Sequence, residues 1–289
     1  MADALVLNYN DYINTSDCAI RLSSCSTICR VLVVDNHSTD DSLAKLKSIE
    51  SDKIIVVSTE KNGGYGYGNN YGIRLLKAKY NSEYILLCNP DTFIEDEVIA
   101  ELEIFLKKND NYALAAPYML DAKMKKQPNT AFHIITKKDY ILSLSILFSH
   151  LGEKFRYKEI INTRQPYLDV DCLSGSLFMM NVDDMVKFGM YDENIFLYGE
   201  EYSIGMKLKQ SPKKLALLPN LSFVHKHSLS ISKSFNSIKK RKIQMKSRLY
   251  IIKEYYKAGP VAYSIAKVIS LFSLVELFMI EIVKRIKRC

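Results

Sequence analysis

Residues 84–91 read Tyr84-Ile-Leu-Leu-Cys-Asn-Pro-Asp91, and the fold follows from how this stretch is read. An apolar run with no helical period ends at a proline turn and a carboxylate. That pattern predicts a buried parallel strand. In open α/β sheets, ligands sit beyond the carboxyl ends of the strands, so Asp91 is expected at the mouth of a site. Asn89 offers an amide beside it, and Pro90 stiffens the turn. One carboxylate and one amide on a rigid turn suit a hard divalent cation that holds a diphosphate. A plain turn before a helix at Glu95 would use the same residue types.

Upstream, short apolar runs alternate with helical stretches. Strands are expected at 4–8, 30–35, 53–58, 84–88 and 112–117. Helices are expected at 15–24, 40–50, up to Tyr80, and at 95–108. Asn14 or Thr15 would cap the first helix, and Ser38 with Asp41 would form a capping box for the second. Four strand–helix alternations predict a parallel sheet with helices on both faces. Right-handed crossovers then bring Asn8, Tyr9, Asp35, residues 62–70 and Asp91 to one edge.

Residues 62–70, Asn-Gly-Gly-Tyr-Gly-Tyr-Gly-Asn-Asn, form a glycine-rich stretch expected to be a loop feeding a helix. It does not match a dinucleotide fingerprint. The second gap, from Gly68 to Gly72, holds three residues, and the stretch follows the third strand rather than the first. Backbone N–H groups at such a helix start suit a phosphate or ribose.

Residues 121–171 show no clear strand and one apolar helical candidate at 140–150. Such a stretch between organised halves reads as a substrate-specific insertion. A strand at 176–180 follows. Glu200 and Glu201 then open a helix beside Phe196, Tyr198 and Tyr202. Acids are favoured at a helix N-terminus by the macrodipole, and two adjacent carboxylates can also supply a general base. Short strands are expected at 215–218 and 221–224, and either His225 or His227 after them can face the site.

The chain has 289 residues, 48% of them hydrophobic and 25% charged, as in an ordinary globular protein. Met1-Ala2-Asp3 leads straight into a strand, so no signal peptide is expected. The six cysteines form no Cys-x-x-Cys pair and are read as reduced thiols of a cytosolic protein. Charge is uneven. Residues 233–289 carry 14 basic groups against 3 acidic, a net +11, while the first 232 residues carry 26 against 29. The tail predicts two helices, 238–257 and 261–283, joined at Ala258-Gly259-Pro260. The second is long enough to span a bilayer, but Lys267, Glu276 and Glu281 favour an interfacial helix on an anionic membrane. No nucleic-acid motif accompanies the basic tail, so nucleic acid is not an expected partner. The oligomeric state is open, with a homodimer as the alternative to a monomer.

Seven short motifs, in order, resemble the family 2 glycosyltransferases of GT-A fold, and most of all their rhamnosyltransferase-like subgroup. They are Leu-Asn-Tyr-Asn (7–10), Val-Val-Asp-Asn-His-Ser (33–38), the glycine-rich stretch (62–70), Asn-Pro-Asp (89–91), Ser-Gly-Ser-Leu-Phe (174–178), Phe-Leu-Tyr-Gly-Glu-Glu (196–201) and His225. The resemblance implies a mostly parallel Rossmann-like sheet with C-terminal helices. It divides the chain into a GT-A domain at 1–232, with a nucleotide-binding half (1–117) and an acceptor half (118–232), and a basic helical tail at 233–289. It assigns Leu7, Asn8, Tyr9, Asp35, Asn36, Asn62, Gly64, Asn69, Asn89 and Asp91 to the donor site. Asp91 and His225 would hold Mg2+ or Mn2+, and Glu201 would be the base, with Glu200 the alternative. Ser203 and Lys207 depart from the family's usual Asp and Arg. The implied activity is inverting transfer of a sugar, rhamnose from dTDP-rhamnose first, to a lipid-linked glycan at the inner face of the cell membrane in polysaccharide synthesis. Another UDP- or dTDP-hexose is the alternative donor. A nucleotidyltransferase has a similar layout, but Asn8-Tyr9-Asn10 is not its basic phosphate loop.

Overall fold

A computed structural model of the chain describes residues 1–148, 154–157, 163–226 and 237–286. Strands β1 (Ala2–Asn8), β2 (Ile28–Asp35), β3 (Ile54–Ser58) and β4 (Tyr84–Cys88) alternate with helices α1 (Tyr12–Ser23), α2 (Ser42–Lys47) and α3 (Tyr65–Tyr80). Then follow β5 (Thr92–Phe93), α4 (Asp96–Lys108), β6 (Tyr112–Leu120), β7 (Ala131–Phe132), α5 (Lys137–Leu142), β8 (Leu168–Val170), β9 (Cys172–Leu173) and β10 (Leu177–Asn181). The chain continues through α6 (Val182–Asp184), a π-helical turn (Met185–Gly189), α7 (Glu200–Leu208), β11 (Lys214–His225), α8 (Ser237–Glu254) and α9 (Pro260–Ile286).

The main sheet runs β3-β2-β1-β4-β10-β6-β11-β5, with β8 also on β11. Pairs β1–β2, β2–β3, β1–β4 and β6–β11 are parallel. Strand β10 enters antiparallel between β4 and β6, so the sheet is mixed and mostly parallel. Every residue of β6 is buried, as expected for a strand covered on both faces. One apolar core lies on each face of the sheet. A third joins α5, α7 and the tail through Tyr140, Tyr202, Met245, Ile251 and Ile252.

Several local expectations are corrected. Helix α1 begins at Tyr12 after Asp11, and the buried Thr15 hydroxyl donates to Asn8 Oδ1 at 2.8 Å instead of capping a helix. The Ser38–Asp41 capping box does not form. Ser38 bonds Asp35, and the Ser42 N–H is met by Asp40 Oδ1 at 3.0 Å. The glycine stretch is mostly helix, since α3 already starts at Tyr65. Gly64 stands before it at φ 97°, where a side chain would be strained. Inside α3, a Cβ on Gly72 would lie 2.4 Å from Leu5 Cδ1, so this glycine lets the helix press onto the sheet. Residues 121–171 do hold strands, but β7 has two residues and β8 three, too few to show a period. Of the helix expected at 140–150, residues 140–142 are helical, as the end of the six-residue α5, and 149 and 150 lie outside the described residues. The two strands expected at 215–224 are one, with a register shift between Leu218 and Ser222 around Pro219.

Candidate active site

The carboxyl ends of β1 and β2 lie side by side, with Asn8 paired to Asp35. The buried Asn8 amide donates to Asp35 Oδ1 at 2.7 Å, and the Ser38 hydroxyl donates to the same oxygen at 2.5 Å. Asp35 Oδ2 accepts from the Ser38 N–H at 3.0 Å. A carboxylate oxygen takes more than one bond, so Oδ2 retains acceptor capacity. Leu7 and Tyr9 flank this edge, both half-buried. Asn36 donates to Asn62 Oδ1 and to the Gly64 carbonyl at 3.2 and 3.0 Å. Buried Asn69 donates to the Tyr65 carbonyl at 3.1 Å. These amides fix the shape of the 62–70 segment. The Tyr65 N–H at the start of α3 is already bonded to the Phe196 carbonyl at 3.0 Å, so that donor is not presented to a phosphate.

The Asn-Pro-Asp turn follows β4. Its Asn89 N–H donates to the Ser176 carbonyl at 2.7 Å. Two-residue strand β5 pairs Thr92 with His225, and the Lys226 N–H reaches the Asp91 carbonyl at 3.1 Å. This pairing delivers the His225 ring onto Asp91, with Nε2 3.1 Å from Oδ1. The side chains are 12% and 11% exposed. His227 lies outside the described residues. Among the described residues, no group of three or more His, Cys, Asp or Glu could hold a metal ion. The donor set is one hard carboxylate and one imidazole. That fits a cation completing its shell with phosphate oxygens and water, the usual mode of Mg2+ and within the reach of Mn2+.

Tyr198 and Gly199 take left-handed conformations, φ 71° and 106°, and turn the chain into α7. Buried Asn70 braces the approach, donating to the Tyr191 carbonyl and accepting from the Tyr191 N–H, both at 3.0 Å. The two acids then part. Half-buried Glu201 lines a cavity of about 530 Å³, and its Oε1 accepts from the Gly175 N–H at 3.2 Å. Glu200 points inward, 4% exposed, and its Oε1 has no hydrogen-bond partner. Burial, then the charge of Glu201, pushes Glu200 up to about 8. Burial also raises Glu201 above the usual carboxylate range. A neutral Glu200 beside an ionisable Glu201 separates the two roles: Glu201 has the access a base needs.

Gly175 joins the two halves. Its N–H meets Glu201, and its carbonyl accepts from the Tyr65 hydroxyl at 2.7 Å. The same hydroxyl lies 3.1 Å from Asn89 Oδ1. Burial, then Glu201 and Glu200, hold the Tyr65 phenol well above its usual pKa, so it stays a donor. Tyr65 was not among the expected site residues. It sits inside a tyrosine-rich helix start, and its role depends on a helix face the sequence does not mark. The departures at 203 and 207 leave the turn intact. Ser203 donates to the Glu200 carbonyl at 2.8 Å, and Lys207 to the Met190 carbonyl at 2.5 Å.

The Glu200 shift has a stability consequence. Its folded pKa exceeds its unfolded one, so the contribution is full below the unfolded value and lost as pH rises through about 8. At about 1.4 kcal/mol per pH unit between the two values, the loss is on the order of 5 kcal/mol. Glu200→Gln should therefore melt higher than the parent near pH 9 and show little advantage near pH 5. Parallel pH dependence of the two melting temperatures would refute this.

The family model for glycosyl transferase family 2 matches residues 11–187. The low-salt glycan biosynthesis hexosyltransferase of Haloferax volcanii is 26% identical over 204 residues, 70% of this chain and 60% of that protein. The rhamnosyltransferase WbbL of Escherichia coli is 22% identical over 169 residues, 56% of this chain and again 60% of the relative. The chain thus spans about 60% of the length of these curated relatives. A mannosyltransferase from Pyrobaculum calidifontis, solved with GDP-Man and Mn2+, superposes with TM-score 0.56 at 12% identity, over 93% of this chain and 73% of that one. The GalNAc-T7 structure with UDP, GalNAc and Mn2+ gives 0.58 at 15%, over 89% and 49%. Family match and shared architecture agree: the chain belongs to glycosyl transferase family 2 and has the GT-A fold.

Proposed function

We propose that this protein is an inverting, metal-dependent glycosyltransferase that uses a nucleoside-diphosphate sugar, dTDP-rhamnose first. The observation that carries the reading is the hydrogen-bonded chain from Glu201 through Gly175 and Tyr65 to Asn89, on the turn that brings Asp91 to His225. Asp35, Asn8 and Tyr9 would receive the base at the neighbouring strand ends. Asp91 and His225 would hold the divalent cation, which when bound offsets charge on the leaving diphosphate. Glu201 would take the proton of the acceptor hydroxyl as its oxygen bonds the anomeric carbon. The bond from that carbon to the diphosphate breaks on the opposite face, so configuration inverts. Rhamnose is favoured by the likeness to the Escherichia coli rhamnosyltransferase, and another hexose by that to the Haloferax hexosyltransferase. The test is a donor panel of dTDP-rhamnose, dTDP-glucose, UDP-glucose and UDP-GlcNAc with Mn2+, scored for free nucleoside diphosphate. Release from dTDP-rhamnose above the others supports the reading. No release from any donor would sink it.

The acceptor would be a lipid-linked saccharide, reached from the cytoplasmic face of a membrane through α9. This helix is apolar on the outside. Val261, Val268, Leu271, Phe272, Val275 and Phe278 are exposed, while Ser270, Ser273 and Glu276 are buried. Glu276 accepts from the Ser145 hydroxyl and the Ile146 N–H, both at 2.6 Å, which holds the polar face inward. By length and composition, residues 260–280 could also cross a membrane. The buried Glu276 clasp favours a helix lying in the interface, with the basic tail adding about 1 kcal/mol per cation near anionic lipid. Full-length Phe272→Asp/Val275→Asp should lose most of its flotation with anionic vesicles and keep its melting temperature. Undiminished flotation would remove α9 from the contact.

A further inference from the structure

We propose that the cavity beside Glu201 binds the acceptor as a hexopyranose held by its ring face, and that tail helix α8 is one wall of this site. The inference rests on Glu201 being the base. The cavity, about 530 Å³, is in the size range of small-molecule sites. Its lining combines aromatic rings, Phe132, Phe155 and Tyr198, with the amides Asn129 and Gln244 and the Glu201 carboxylate. Flat apolar rings suit the C–H face of a sugar, and amides suit its hydroxyls, both as donors and as acceptors. This lining places an acceptor hydroxyl within reach of the carboxylate that would deprotonate it.

Two arginines, Arg156 and Arg248, line the cavity together with Glu201. The Arg248 guanidinium donates to the Ser143 carbonyl at 2.9 Å, the Tyr140 carbonyl at 3.1 Å and the Ser143 hydroxyl. It also stacks on the Tyr140 ring, 4.6 Å from its centre. Those bonds fasten α8 to α5 and leave Arg248 as a strut of the wall. Arg241 holds Gln244 through its Oε1 at 2.9 Å, so the Gln244 amide NH2 is the end left to donate.

Helix α8 is seated firmly enough to serve as a wall. Met245, Ile251 and Ile252 are buried in the third core. The Ser247 hydroxyl donates to the Leu197 carbonyl at 2.7 Å, on the turn that carries the acids. Just beyond α8, the Tyr256 hydroxyl lies 2.5 Å from that of Tyr202, one residue after Glu201. The tail is therefore tied to the residues that flank the two acids, and its role is wider than membrane contact.

The test uses full-length protein and Gln244→Trp, whose larger ring would fill the cavity from the α8 side, with Gln244→Ala as the milder partner. The probes are octyl glycosides of glucose, galactose, rhamnose and N-acetylglucosamine, read by saturation-transfer difference NMR without donor. At least one glycoside should show ring-proton transfer to the parent. That signal should weaken several-fold in Gln244→Ala and vanish in Gln244→Trp, with melting temperatures within about 2 °C of the parent, the size of a surface substitution's effect. Equal signals in parent and Gln244→Trp, or no ring-proton signal from any glycoside, would overturn the proposal. Because the readout needs no turnover, loss of binding in Gln244→Trp with no donor cleavage in the parent would reject the catalytic reading and leave the sugar site standing.

Discussion

Glu201→Gln is expected to lower kcat by about 10²–10⁴, the usual worth of a positioned general base. The amide keeps the size of the side chain and one carbonyl oxygen, so the bond from the Gly175 N–H can persist. The donor KM should therefore change by no more than a few-fold, which places the loss in the chemical step. Steady-state kinetics with the best donor and acceptor read both constants. The pH profile adds a second check. Because burial raises the Glu201 pKa, kcat/KM should climb with pH at values above the ordinary carboxylate range. A loss greater in Glu200→Gln than in Glu201→Gln would move the base to Glu200.

The second large effect belongs to the Asn-Pro-Asp turn. Asp91→Asn keeps the shape of the turn but removes the carboxylate beside His225 that we propose holds the cation. Loss of several kcal/mol of charge stabilisation at the leaving diphosphate corresponds to at least about 10²-fold in kcat/KM. Chelation of the parent should give a similar loss, restored by Mn2+ or Mg2+. His225→Ala should be milder, and partly recovered at high Mn2+, because the carboxylate remains. Titration calorimetry of Mn2+ with nucleoside diphosphate separates weaker metal binding from slower chemistry. Full activity of Asp91→Asn in the presence of chelator would exclude this site.

The strand ends were legible because each carries its own signal. Asn8, Asp35 and Asp91 close short apolar runs, and the alternation of runs places those closures on one edge. The antiparallel entry of β10 was not legible. A buried strand reads the same in either direction, and only its pairing with β4 and β6 fixes the sense. The glycine stretch misled for a related reason. Glycines that let a helix approach a sheet have the composition of a flexible loop, and only contacts such as those of Gly68 with Leu7 and of Gly72 with Leu5 separate the two. The split between Glu200 and Glu201 depends on which side of the α7 start faces the cavity. Two adjacent identical residues carry no mark of that. The capping-box error at Ser38 is one of competition: a buried carboxylate, Asp35, outbids an exposed helix end for the hydroxyl.

The tail shows how composition and packing divide the information. The charge imbalance and the apolar run at 261–283 pointed to a surface helix. That the polar residues of α9 face inward follows only from the Glu276 bonds to residues 145 and 146, far away in sequence. The contact of α8 with the acidic turn is likewise non-local, through Ser247 and Leu197.

The most direct measurement is the configuration of the sugar at the moment of release. Purified protein with Mn2+ and the preferred nucleotide sugar is followed by proton NMR from the first minutes, before free sugar equilibrates its anomers. Single-displacement chemistry with Glu201 as base predicts that the first anomer to appear is opposite to that of the donor, together with free nucleoside diphosphate. A first product that retains the donor's configuration, or release of nucleoside monophosphate, would contradict it.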